Sequence, residues 1–177
     1  SENESFVFDD QRLKSASFDT SKGFGLRAIS GESSGYAHSS DITEAALRKA
    51  SNTVNFISKS GSGNFNHDFS KTNRKLYMDA NPIDTSNFED KVNTLKCIDE
   101  YARKKNPNVK QVSAALNGEW QVVRIYRPGG VFVEDIRPLV RLYISIVLEK
   151  NGRQETGSRG SGGRTEYTSF LDASYWQ

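Results

Sequence analysis

The alternation of apolar and polar positions is clearest in the last third of the chain, where it predicts a long strand and a hairpin. Residues 139–148 are rich in β-branched and aromatic side chains, which is typical of a strand with at least one buried face. Asn151-Gly152 comes next, and because both residue types tolerate positive φ, this dipeptide predicts a tight turn. Residues 153–157 are then the predicted return strand.

Four shorter strands are predicted near the start of the chain. Apolar and polar residues alternate over residues 5–8 and again over 13–17, on either side of a turn at Asp9-Asp10. A second pair is predicted at residues 24–28 and 35–37, joined by small turn-forming residues. We expect these strands to form one meander linked by hairpins.

Two helices are predicted from apolar residues that recur at helical intervals. Before the first, Asp41 and Glu44 have the spacing of a capping box, and before the second Ser86 and Glu89 have the same spacing. The second helix should end at Asn106-Pro107, because a residue that precedes proline disfavours helical backbone angles.

The remaining segments complete the predicted element order. Residues 58–66 are polar and glycine-containing and predict a loop, and the chain up to Pro82 is expected to be irregular or only briefly extended. This region is the expected site of disorder. Three further strands, separated by turns at Gly118 and at residues 128–130, are predicted at 109–117, 121–126 and 131–136. Because strands cluster before the first helix and after the second, we predict an α+β fold: a mainly antiparallel sheet with two principal helices packed on it. A doubly wound fold would need regular strand–helix alternation.

Composition narrows the class of protein. The 177 residues, 35% of them hydrophobic, suffice for one core. A net charge of +2, from 24 basic and 22 acidic residues, does not indicate nucleic-acid binding. No apolar run is long enough to cross a bilayer, and no signal segment opens the chain. The single cysteine, Cys97, is expected to be a small core residue in a reducing, cytoplasmic protein.

A glycine-rich stretch near the end of the chain is one candidate for chemistry. Backbone N–H groups there, helped by arginines, suit an anion. However, no Lys-Ser or Lys-Thr pair follows and no strong helix pattern begins, so neither nucleotide-binding motif is satisfied. A glycine-rich strand or linker, with its arginines in solvent or at an interface, is favoured. The residues concerned are Gly157, Gly160, Gly162 and Gly163, with Arg159 and Arg164.

The histidines support catalysis only weakly. His38 and Asp41 suggest a base and its orienting acid, but a polar strand end and a helix cap are the favoured interpretations. His67-Asp68 lies in a weakly patterned loop and lacks the further ligands that a metal site needs.

Arg137 and Arg141 lie four residues apart, so they share one face of a strand. Their guanidinium groups suit a peptide carboxylate, an internal acid or a partner subunit, and an internal ion pair is favoured. Trp120 and Tyr126 are expected to pack in the core or at a sheet edge rather than to form a ligand platform.

Several of these segments together resemble one protein family. RPLVRL at residues 137–142, the Asn-Gly-Arg turn, and the glycines followed by Tyr and Phe-Leu up to Leu171 are similar to the amino-terminal domain of TldD/PmbA metallopeptidases, also called modulator of DNA gyrase. The similarity extends through Asp9–Leu47 and Asn106–Trp120, which together with the carboxy-terminal segment cover nearly the whole chain. GFGLRAISGE followed by GYAHS is closer to the TldD branch than to PmbA.

The resemblance implies a zinc site in a carboxy-terminal domain, on a helical His-Glu-x-x-x-His motif with a further cysteine ligand. This chain has no such motif, since its only histidines are His38 and His67 and its only cysteine is Cys97. A zinc peptidase needs three protein ligands, an open water position and a general base. We therefore expect a fragment: one domain at residues 1–173, truncated at its start, and a linker to the absent zinc domain beginning at 174–177.

The resemblance further implies a zinc metallopeptidase parent in which this part carries no catalytic or metal residue. We expect it to help enclose the active site and to guide unfolded or small peptides, in a homodimer or with a PmbA-like partner. Candidate peptide or subunit contacts are Arg137, Arg141, Arg159 and Arg164. The alternatives are a stand-alone binding module that acts through an exposed sheet edge, and phosphate or nucleotide chemistry at the glycine-rich stretch.

Overall fold

The computed structural model describes residues 1–58 and 76–177. The chain divides into two compact units, one made of Ser1–Thr20 with Lys75–Gln177 and the other of Ser21–Arg74. The predicted fold class, α+β with a mainly antiparallel sheet, is confirmed. The predicted loop at residues 58–66 lies almost wholly outside the described residues, and residues 76–81 contain neither helix nor strand.

The larger unit contains the strands β1 (Glu2–Asp9), β2 (Arg12–Thr20), β5 (Val109–Arg127), β6 (Val131–Lys150) and β7 (Arg153–Gly163). They form an antiparallel sheet in the order β2-β1-β5-β6-β7. The turn after β1 lies one residue later than predicted, at Asp10-Gln11, where both residues have positive φ. Asn151-Gly152 forms the predicted turn before β7, again with positive φ at both positions.

The predicted turn at Gly118 is wrong, because β5 runs through that residue without interruption. Gly118 pairs with Glu4 on one side and with Val140 on the other. A Cβ atom at this position would lie 2.8 Å from Cζ of Tyr167, and closer still to its hydroxyl oxygen. Gly118 is therefore needed for the close approach of a buried ring, not for a turn.

Two other strand boundaries also differ from the prediction. The two segments predicted on either side of Pro138 form the single strand β6, and the return strand β7 continues past residue 157 to Gly163. The backbone carbonyl of Pro138 accepts a hydrogen bond from the Arg164 side chain at 3.2 Å. The N and C=O groups of a strand residue point to the same side, so the missing N–H of Pro138 costs no bond to β5.

The core lies on one face of this sheet, beneath α2 (Phe88–Lys105) and two helical turns, α3 (Thr168–Leu171) and α4 (Ala173–Trp176). Residues 174–177, expected to begin a linker, therefore lie mostly within α4, and Trp176 packs against the core. The buried residues are Phe6 and Phe8 from β1, Ala114 and Leu116 from β5, Val140 and Leu142 from β6, Leu95 and Ile98 from α2, and Tyr167 and Phe170.

Helix α2 begins one residue later than predicted. Asn87, not Ser86, is its cap, and the Asn87 side chain accepts a hydrogen bond from the Asp90 backbone N–H at 2.7 Å. Ser86 instead ends a 3-10 turn over Pro82–Thr85, which leaves its backbone outside the helix. The predicted end is confirmed, because the helix stops at Lys105.

A buried ion pair ties β1 to α2 inside the core. Nζ of Lys91 lies 2.6 Å from Oε1 of Glu4, and both side chains are less than 10% exposed. Lys91 also donates to the backbone carbonyl of Ile83 at 2.8 Å and lies 4.7 Å from the ring centroid of Tyr167. Burial, and then the charge of Glu4, raises the pKa of the Tyr167 phenol well above its ordinary value.

The smaller unit contains β3 (Phe24–Ser30), β4 (Ser33–Ser39) and α1 (Glu44–Ser58). The two strands form a separate two-stranded sheet, against which α1 packs. The two amino-terminal hairpins are thus not one meander, because β1 takes β5 as its second neighbour instead. None of the described helices combines the length and the apolar character that crossing a bilayer would require.

Candidate functional site

The glycine-rich stretch forms most of β7, an edge strand of the five-stranded sheet. The favoured interpretation as a glycine-rich strand is therefore confirmed. A phosphate cradle needs successive N–H groups that converge on one point, whereas the N–H groups of a strand alternate between its two edges. Among the described residues, no other strand pairs with the outer edge of β7, so its main-chain hydrogen-bonding groups are available along that edge.

Large side chains of β6 lie opposite these glycines. Tyr143 pairs with Gly160, Arg141 with Gly162, and Ile146 with Gly157. The side chain of Arg141 crosses the backbone of Gly162, where a Cβ atom would lie 2.9 Å from Cγ of the arginine. The absent side chains leave a groove beside β7 on each face of the sheet.

The apolar groove, on the helix-covered face, has a volume of about 440 Å³. Its floor is a row of half-buried aliphatic residues on β6, namely Ile144, Ile146 and Leu148. One wall is Ala102 and Trp176, and the opposite wall is Gly157, where a Cβ atom would meet nothing within 4 Å. Sequence analysis missed this groove, although a glycine facing an aliphatic residue across two paired strands is a signal for it.

Two cationic side chains, Lys105 and Arg159, line the apolar groove. Lys105 lies 5.7 Å from the ring centroid of Tyr101. In the described part of the chain, neither cation pairs with a carboxylate. Nearby Arg103 differs, since it donates hydrogen bonds to Asp99 and Asp10, and the bond that it donates to Asp99 raises its pKa most.

The polar groove lies on the opposite face and has a volume of about 600 Å³. Arg141 lies in it opposite Asn117, whose Oδ1 accepts a hydrogen bond from Ser5 at 2.8 Å. Arg164 lines it too, with Nη1 on the Pro138 carbonyl and the guanidinium carbon 5.4 Å from the ring centroid of Tyr77. No carboxylate in the described residues pairs with Arg141.

The four candidate contact arginines are therefore not one cluster. Arg141 and Arg164 share the polar groove, and Arg159 lies on the apolar groove. Arg137 forms the favoured internal ion pair, with Nε 2.6 Å from Oδ2 of Asp135, whereas Arg141 does not. A contact role for these residues stays a prediction.

The strands β5 and β6 extend beyond the sheet as a two-stranded arm, residues 121–137. Here they pair only with each other, because β1 pairs with β5 no further than Trp120 and β7 pairs with β6 only from Val140. Trp120 is half-buried, in line with the expected packing, but Tyr126 is 75% exposed at the tip. The Tyr126 and Phe132 rings lie 4.9 Å apart, and Ile125 and Val131 beside them are also exposed.

The residues considered for catalysis are not brought together. His38 stacks on Tyr36, with ring centroids 5.8 Å apart. The Asp41 carboxylate instead accepts a hydrogen bond from the Thr43 hydroxyl at 3.0 Å. Thr43 is the cap of α1, since its Oγ1 accepts from the Ala46 backbone N–H, so the predicted cap at Asp41 is wrong by two residues.

The other candidate ligands also remain apart. His67-Asp68 lies outside the described residues. Cys97 is half-buried rather than in the core, because it lies beside the buried stripe of α2 and not on it. No group of three or more His, Cys, Asp and Glu side chains within residues 1–58 and 76–177 is placed to hold a metal ion.

Family models match both parts of the chain. Residues 1–54 match a model described as PmbA/TldA metallopeptidase domain 1, and residues 81–176 match the PmbA/TldA metallopeptidase central domain. A "Metalloprotease TldD homolog" of Haemophilus influenzae is 38% identical over 167 residues, which cover 93% of this chain and 35% of that protein. The homologue of the same name from Buchnera aphidicola of Acyrthosiphon pisum is 32% identical over 170 residues, covering 96% of this chain and 35% of the relative.

Solved structures show the same fold. TldE from Thermococcus kodakarensis superposes with a TM-score of 0.65 at 14% identity, over 93% of this chain and 38% of that one. A Bacteroides thetaiotaomicron protein named for modulation of DNA gyrase superposes with a TM-score of 0.68 at 18% identity, over 91% of this chain and 38% of the other. This chain thus spans little more than a third of the length of these relatives.

Proposed function

Because this chain belongs to the PmbA/TldD metallopeptidase family, we propose that it is the non-catalytic amino-terminal part of a TldD-like zinc metallopeptidase. In this proposal it helps to enclose the active site and guides unfolded or small peptides towards it. The relatives are named metalloproteases and are much longer than this chain. The described residues do not fit a zinc site, so we assign the zinc ligands and the water-activating base to the rest of the parent protein.

The observation that carries the guiding role is the outer edge of β7, which lies between two grooves and pairs with no strand in the described residues. An extended peptide can add to such an edge through main-chain hydrogen bonds, while its alternate side chains enter grooves on the two faces. A folded protein has already paired its main-chain groups, so an edge of this kind favours unfolded segments.

We also propose that the parent acts in the cytoplasm, as a homodimer or with a PmbA-like partner. The exposed apolar side chains at the tip of the arm support a contact with another chain, because apolar residues grouped on a surface favour burial. Tyr126 and Phe132 are the residues that we expect to be buried in such a contact.

The second candidate function is a binding module that captures partners through the β7 edge without any catalytic role. It rests on the same edge and needs no metal. The two functions differ in what the parent protein does to a peptide once it is bound.

The test compares this 177-residue chain with a version extended to the length of the relatives, each with and without a PmbA-like partner. We expect zinc, and chelator-sensitive hydrolysis of an unfolded peptide, only in the longer protein. Zinc-dependent cleavage by the short chain would contradict the proposal. Peptide binding without hydrolysis by either protein would support the binding module instead.

A further inference from the structure

We propose that the apolar groove beside β7 binds an extended peptide segment in which a large aliphatic residue and an acidic residue stand two positions apart, so that both face the groove. This inference rests on the proposed peptide-guiding function and specifies the peptide class. Neither the family models nor the names of the relatives assign a ligand to this surface.

The floor of the groove is core that no described element covers. Ile144, Ile146 and Leu148 continue the apolar face of β6, but α2 ends at Lys105. These three residues consequently remain half-buried, whereas Val140 and Leu142 further along the same face are almost completely buried. The groove volume of about 440 Å³ falls within the range of about 300–1,000 Å³ that is usual for ligand pockets.

Gly157 makes this floor accessible from the edge of the sheet. It pairs with Ile146, and the position that its Cβ atom would occupy is open space. A peptide strand on the outer edge of β7 would direct alternate side chains to this face. Because no side chain of Gly157 stands in between, a long aliphatic side chain can reach across the strand to Ile146.

The charge of the lining selects an acidic neighbour. Lys105 and Arg159 are the only charged residues among those that line the groove, and neither has a carboxylate partner in the described ranges. An acidic side chain two positions from the aliphatic one would face the same groove and meet two cations, with no acid among the described residues that line it. A basic peptide of the same length would meet repulsion at the same place.

The test measures fluorescence polarisation with a labelled, unstructured decapeptide that repeats Leu-Thr-Glu-Thr, which puts Leu and Glu on one face of an extended strand, and with a matched peptide that carries Lys in place of Glu. We expect the Glu peptide to bind at least about tenfold more tightly than the Lys peptide. Reversing the two cations, as Lys105→Glu with Arg159→Glu, should reverse that preference. Equal affinity for the two peptides, in either protein, would overturn the proposal.

Gly157→Val provides the steric test. Gly157 has no positive φ, and a side chain there meets open space, so valine should fit the strand and fill the groove. We expect unchanged or increased thermal stability and a loss of affinity for the Glu peptide of at least about tenfold, since the aliphatic contact is excluded. Unchanged affinity in a folded Gly157→Val protein is inconsistent with binding in this groove.

Gly160→Val is the matched control. It lies on the same strand but faces the polar groove, where a Cβ atom would meet the exposed ring of Tyr143 at 3.4 Å. It should lower the affinity for the Glu peptide much less than Gly157→Val does, and it should leave the preference for the Glu peptide over the Lys peptide unchanged. If the Gly160→Val protein loses binding as strongly as Gly157→Val, the site is not the apolar groove.

Failure of this inference and failure of the proposed function are distinguishable, because equilibrium binding needs neither zinc nor hydrolysis. The assay is repeated with the extended protein of the hydrolysis test. Binding by both proteins supports the proposal whether or not cleavage occurs. Binding by the 177-residue chain alone would mean that another segment of the longer protein covers the groove, and would overturn it.

Discussion

Replacing Gly118 with alanine should destabilise the larger unit, because β5 passes directly beneath a buried tyrosine ring at this position. The new Cβ atom would lie 2.8 Å from Cζ of Tyr167 and nearer still to its hydroxyl oxygen. Carbon atoms in proteins pack at about 3.5–4.0 Å, so one of the two groups must move by roughly 1 Å. Tyr167 is completely buried and Gly118 is held by strands on both sides, which leaves little room for that movement.

The expected cost is about 1–3 kcal/mol, the usual penalty for overpacking a core. Urea denaturation measures it as a lower midpoint with an unchanged m-value. Gly157→Ala is the matched control. Its Cβ atom meets open space and its strand geometry is ordinary, so its free energy of unfolding should stay the same or rise slightly.

Tyr167→Phe turns this prediction into a double-mutant cycle. The phenylalanine lacks the hydroxyl oxygen, which is the atom that would lie closest to the new methyl group. Gly118→Ala should therefore cost less in the Tyr167→Phe background, with a coupling energy of about 0.5 kcal/mol or more. A cost below about 0.5 kcal/mol in the wild-type background, or no coupling in the cycle, would refute the close-approach explanation of Gly118.

The other predictions concern the buried ion pair, the pH dependence and the arm. Lys91→Met leaves the Glu4 carboxylate buried without its partner and should cost about 3–5 kcal/mol in urea denaturation, and adding Glu4→Gln should restore part of that loss. The pKa of Tyr167 is raised by burial and then by Glu4. The folded state therefore favours the neutral phenol of Tyr167, and this stabilisation is complete below the unfolded pKa of about 10. Above a pH of about 10 the phenol ionises in the unfolded chain, so the free energy of unfolding should fall by up to about 1.4 kcal/mol per pH unit. Denaturation between pH 8 and 11 should show that Tyr167→Phe reduces this slope, whereas Tyr126→Phe, at an exposed position, leaves it unchanged. Phe132→Ser should lower the free energy of unfolding by less than about 1.5 kcal/mol, because only the ring contact with Tyr126 and a half-exposed side chain are lost. Thermal unfolding measures this change, and a larger loss of stability would show that the arm is part of the core.

Several local features of this fold follow directly from short stretches of sequence. Asn151-Gly152 forms its turn with positive φ at both positions, and α2 ends before Pro107. These outcomes depend on the backbone angles that a few neighbouring residues allow, so short segments contain the information. The family resemblance could also be seen without a structure, because it depends on the order of sequence motifs along the chain. Both family models confirm it.

Local patterns could not predict which elements pack against each other. Alternation shows that one face of β6 is apolar, but not that Val140 is buried in the core while Ile146 lines an open groove. In the same way, the residues around Gly118 predict a turn, and the contact with Tyr167 that explains the glycine is visible only in the structure. Lys91 likewise has the pattern of an exposed helix residue, although it is buried against Glu4. The period of a pattern records that a face is buried, whereas the partner that buries it comes from a distant part of the chain.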